Sequence, residues 1–96
     1  WVNNDKDLET MTPTITEMAA LCTQKRKIHH EWLQCWNVRQ GRESRILDQG
    51  KILVRENPDA LYVWAWKGQI GTTETCDAPV TAWRYAVDVL RLVKEA

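Results

Sequence analysis

Phenylalanine is absent from this chain, glycine and proline are sparse at four and three residues, and the formal net charge is zero. Each shortage excludes something. With so few glycines there is no phosphate-cradling loop: "KGQIG" carries two glycines and opens no helix with Lys-Ser or Lys-Thr. Paired-carboxylate and nucleophile-elbow motifs are missing as well. The longest apolar run, 60–66, is seven residues, against the roughly 18 to 20 that a membrane span requires. No basic segment followed by an apolar one opens the chain, so no signal peptide and a cytoplasmic location are expected. The first residue is Trp1 rather than Met, which leaves a processed start open.

Three cysteines are an odd number, which favours a reducing compartment and free thiols. On a single helix Cys22 and Cys35 would stand about 20 Å apart, beyond disulfide reach. Any internal bridge must therefore use Cys76.

What is present is ordinary in amount and unusual in kind. Ninety-six residues, 44% hydrophobic and 27% charged, make one globular domain rather than a disordered or fibrous chain. The aromatic content falls on six tryptophans and two tyrosines, and tryptophan serves both cores and interfaces. A chain this short leaves apolar surface exposed, which a partner or a second copy can cover. The neutral total conceals blocks. Residues 1–23 carry one positive and four negative charges, 24–55 eight and three, and 56–96 four and six, a run of −3, +5, −2. Either the basic middle faces an anion or the blocks neutralise one another in the fold.

Residues 1–11 read as a tail or irregular start. "TITE", Thr14 to Glu17, has capping-box spacing and predicts a helix that runs to Gln40, with Gly41 just past its end. Met18, Leu21, Cys22, Ile28, Trp32, Cys35 and Trp36 recur along it at three- and four-residue steps. A second helix is predicted over 78–95, with Asp77 as its cap and Pro79 in its first turn. Its predicted buried face is Val80, Trp83, Ala86, Val87, Leu90 and Val93.

The middle admits two readings. As helices, Ser44 caps a segment with Ile46, Leu47, Gly50, Leu53 and Val54 on one face; "ENP" stops it, and another helix starts near Asp59, placing Leu61, Trp64, Ala65 and Gly68 together. As strands, 51–56 and 61–66 form a β-hairpin. The register of Pro58, Trp64 and Gly68, with the small-residue rhythm of Ala82, Ala86 and Val89, resembles a tetratricopeptide (TPR) repeat, and that resemblance implies helix-turn-helix geometry. The predicted fold is accordingly mainly α, a small helical bundle with a helix-turn-helix middle. The alternative is α+β, with the hairpin at 51–66 flanked by two long helices.

"HHE", His29 to Glu31, is the one cluster with metal chemistry, but no second ligand stands three or four residues from either histidine. No metal, cofactor or catalytic residue is expected. The expected function is a small, non-enzymatic protein-interaction module or adaptor, binding a protein partner or itself, with Lys25, Arg26, His29, Trp32, Trp36, Arg39 and Trp66 as its candidate surface. The alternative is a nucleic-acid-associated regulator using the basic segment 24–55, although a pI near 6.9 is low for that role.

Overall fold

The computed structural model describes residues 2–64 and 76–95. Five elements follow in order: α1 (Asp5–Lys25), β1 (His30–Gln34), α2 (Arg45–Arg55), β2 (Ala60–Trp64) and α3 (Pro79–Glu95). The two strands pair in parallel, His30 opposite Ala60 through Gln34 opposite Trp64, so β1, α2 and β2 form a strand-helix-strand unit. Parallel strands cannot be joined by a tight turn, and α2 is the crossover that returns the chain to the same end of the sheet.

Helix α1 begins nine residues before the predicted capping box. Asn4 is the cap, its side chain accepting from the backbone N–H of Lys6 (2.9 Å) and Asp7 (3.3 Å), and Asp5 and Asp7 favour the positive end of the helix dipole. Residues 5–11 are thus the first turns of a helix that buries Leu8, Met11 and Ile15, and not a tail. The helix also ends fifteen residues before Gln40. Arg26 takes the left-handed conformation (φ 54°), its N–H bonds to the Thr23 carbonyl, and the Lys27 N–H bonds back to Cys22 at 2.8 Å. This closing pattern satisfies the last carbonyls without glycine.

The mainly α prediction is therefore overturned: the fold is mixed α+β, with 12% strand beside 59% helix among the described residues. Its strands do not form the hairpin either. Residues 51–55 belong to α2, and the strand 60–64 pairs with residues from the predicted first helix. Pairing decides both cases. "HEWLQ" and "ALYVW" each alternate inner and outer side chains, and in register they satisfy one another's backbone groups, which neither segment achieves alone. Ala65 and Gly68, assigned above to the helix with Trp64, lie outside the described residues.

The predicted segments at Ser44 and at 78–95 do form helices. α2 buries Ile46, Gln49, Gly50 and Leu53. α3 buries Ala82, Ala86 and Val89, a face rotated from the expected one, and leaves Val80, Trp83, Leu90 and Val93 exposed. Small residues decide the rotation, because Gly50 of α2 lets Val89 approach its backbone closely. The core gathers these with Leu33, Cys35, Val38 and Met11.

Candidate functional site

Alternation along two paired strands gives the sheet a dry face and a wet one. Leu33 is fully buried on the inner face, where Leu61 and Val63 also pack against the core. The outer face carries His30 and Trp32 from β1 and Tyr62 and Trp64 from β2, all exposed. Trp32 is 52% accessible, Tyr62 40% and Trp64 39%. They form one aromatic cluster. Trp32 stacks on Tyr62 with ring centres 4.7 Å apart and meets Trp64 edge-on at 5.4 Å, while His30 meets Tyr62 edge-on at 5.4 Å. Offset stacks and edge contacts are the favoured aromatic geometries, so the rings hold one another in place.

The expected surface residues are scattered by the strand. Lys25 ends α1, Arg26 is its left-handed cap, and both are exposed. His29 is buried; its Nε2 lies 2.9 Å from Glu31 Oε1, its N–H donates to Asp59 Oδ2 at 2.8 Å, and its carbonyl accepts from Asp59 and Ala60. It is a structural joint between the starts of the two strands. Trp36 lies beyond β1 and is half-buried, its carbonyl accepting from Gln34 Nε2 at 3.0 Å. Arg39 is exposed and faces Asp77 across 3.4 Å. Trp66 lies outside the described residues. Among the described residues of the set, Trp32 alone belongs to the aromatic cluster. His30, Tyr62 and Trp64 were missing from it, and the signal for them was the two-residue alternation in 30–34 and 60–64.

The charge blocks meet one another. Arg42 donates to Asp5 Oδ1 at 2.5 Å and to the Val2 carbonyl at 2.9 Å; Arg45 reaches Asp5 at 3.4 Å and Asp48 at 3.0 Å. Together with Arg39 and Asp77, these contacts neutralise three cations of the basic segment, all of them through acids of the flanking blocks, Arg39 and Arg42 wholly and Arg45 in part. The Arg42 hydrogen bond, ahead of the nearby positive charge of Arg42 and Arg45, holds the Asp5 carboxyl below its ordinary value of 3.8. Stabilisation from such a carboxylate is complete above its unfolded pKa near 4 and is lost as pH falls through the lower folded value. Asp5→Asn is thus expected to lower the thermal midpoint at neutral pH, with the gap to wild type closing below about pH 4. A gap that stays constant across that range in a melting series would contradict it.

Among the described residues no three His, Cys, Asp or Glu side chains gather in a way that could hold a metal ion, and no helix is long and apolar enough to cross a membrane. Comparison with family models, curated proteins and solved structures returned no match.

Proposed function

We propose that this chain is a non-enzymatic protein-interaction module that docks through the outer face of its sheet, and that the occupant of that face is a second copy of the chain. The supporting observation is the exposed cluster of Trp32, Tyr62 and Trp64. Parallel sheets are ordinarily covered on both faces, and tryptophan and tyrosine are the residues that most often anchor interfaces. A formal net charge of zero puts no long-range repulsion between two copies.

Area sets the strength. Three large aromatics, each about half accessible, offer about 300 Å². A stable interface buries about 800 Å² per partner, so a contact of this size makes a weak dimer. Sedimentation equilibrium over rising concentration is expected to show an average mass climbing from 11.2 kDa towards twice that value. Trp32→Ser should weaken the association at least about tenfold while leaving the circular-dichroism spectrum unchanged. A monomer at every concentration, or a Trp32→Ser variant that associates as well as wild type, overturns the reading.

A second reading is favoured by one observation: Lys25, Arg26 and Lys27 are exposed, make no ion pair among the described residues, and lead directly to the strand bearing His30 and Trp32. Cations beside open aromatic faces suit single-stranded nucleic acid. Against it, Arg39, Arg42 and Arg45 are occupied by acids. Co-sedimentation with a single-stranded oligonucleotide that fades steeply with salt would favour this reading over the dimer.

A further inference from the structure

Cys35 and Cys76 are 41 positions apart in sequence and share one buried site beyond the C-terminal end of β1. Cys35 is fully buried and Cys76 is 6% accessible. The Cys76 thiol donates to the Cys35 carbonyl oxygen at 3.2 Å. A carbonyl oxygen lies about 2.4 Å from its own Cα, given the C=O and Cα–C bond lengths. Cys76 Sγ is therefore no more than about 5.6 Å from the Cys35 Cα, which places the two cysteines in direct contact. The backbone on both sides is pinned: the Asp77 N–H donates to the Val38 carbonyl at 3.0 Å, and the Gln40 N–H donates to Asp77 Oδ2 at 2.7 Å. These bonds hold the two cysteine-bearing segments side by side.

The two thiols differ in readiness. Burial, and then the neighbouring Cys76, push the Cys35 thiol up to about 12. Burial also raises Cys76; a hydrogen bond with the Val38 backbone and the charge of Arg39 act in the opposite direction, while the Asp77 and Glu43 carboxylates add to the rise. Cys76, the one of the two with any solvent access, is placed to react first and Cys35 to resolve. Cys22, half-buried on α1 with only a long contact to the Ile28 carbonyl, is not in the site.

We propose that Cys35 and Cys76 are a redox pair, oxidised to an intramolecular disulfide by a small-molecule disulfide of the glutathione class. The Cys76 thiolate attacks one sulfur of the small disulfide; its S–S bond breaks and one small thiol leaves with the Cys76 proton. The Cys35 thiolate then attacks Cys76 Sγ in the mixed disulfide, forming the Cys35–Cys76 bond and expelling the second small thiol, which takes up the Cys35 proton. The protein is oxidised by two electrons and the small disulfide is reduced by two. The product ties the residues before α3 to the end of β1.

The test is oxidation of the folded chain with glutathione disulfide, followed by alkylation, non-reducing tryptic digestion and mass spectrometry. The expected product links peptide 28–39 to peptide 68–84, with the loss of two hydrogens. The same link is expected in Cys22→Ser, and Cys35→Ser should stop at the mixed disulfide on Cys76. Recovery of Cys35 and Cys76 as separate thiols or separate mixed disulfides, or a link that uses Cys22 instead, overturns the proposal. Should Cys35→Ser fail to fold, the wild-type and Cys22→Ser digests decide.

Discussion

Gly50→Ala is expected to destabilise the fold by about 1–2 kcal/mol, even though alanine is the better helix former by about 1 kcal/mol. A Cβ at position 50 of α2 would press on both methyls of Val89, 2.6 Å from Cγ1 and closer still to Cγ2. Val89 is fully buried and β-branched, so it has neither free space nor an alternative rotamer to move into. Overpacking of this kind costs about 2–3 kcal/mol, which exceeds the propensity gain. Val89→Ala alone leaves a cavity and loses about 2 kcal/mol. In the double variant the new methyl fills the space that valine vacated, so the combined loss should fall short of the sum by at least about 1 kcal/mol. Urea midpoints of the four proteins give the cycle, and strict additivity would show that the α2–α3 contact does not centre on Gly50.

Pro13→Ala is expected to act in the opposite direction, raising stability by about 2 kcal/mol. Pro13 is the ninth residue of α1 and is exposed, so its removal forfeits little packing. A proline there cannot bond the Glu9 carbonyl, its ring crowds the preceding turn, and it is about 3 kcal/mol worse than alanine. The unfolded chain regains some freedom when proline goes, which offsets about 0.4–1 kcal/mol. For a domain of this size the net gain corresponds to a thermal midpoint about 8–16 °C higher. An unchanged or lower midpoint would mean that the proline is needed to seat Leu8 and Ile15 on the same core.

How far the sequence could be read depended on whether an element is specified locally. α2 and α3 carry their own signals: a helical face from Ile46 to Leu53 ended by Asn57 and Pro58, and Pro79 in a first turn. Both formed where they were expected. β1 carries no local signal strong enough to stop a helix. Trp32, Cys35 and Trp36 fit a helical stripe, whereas a two-residue period separates Trp32, outside, from Leu33, inside. What settles the matter is a partner strand thirty residues away, and no local window contains it. The N-terminus of α1 was misplaced for a related reason. "TITE" is a valid capping box, but Asn4 is a valid cap too, and Leu8 and Met11 make the earlier start worthwhile only by reaching a core built from α2 and β1. The rotation of α3 follows the same rule, because its widest apolar stripe lost to the face that fits against a glycine. Helix content would not have exposed the error in fold class, since 59% of the described residues are helical regardless. At the site, Trp32 was found and its neighbours were not, because the cluster exists only across the strand pair.

The parallel register also orders events in time. Every paired position in the sheet is separated by thirty residues, from His30 and Ala60 to Gln34 and Trp64, so no strand contact can form until a long loop closes. Closing it loose costs entropy that local contacts do not repay, whereas a formed α2 shortens the effective loop. Helices are therefore expected to condense before the sheet, bringing Trp32, Tyr62 and Trp64 together late in folding. In refolding, the ring-sensitive near-ultraviolet signal is expected to return after the far-ultraviolet one.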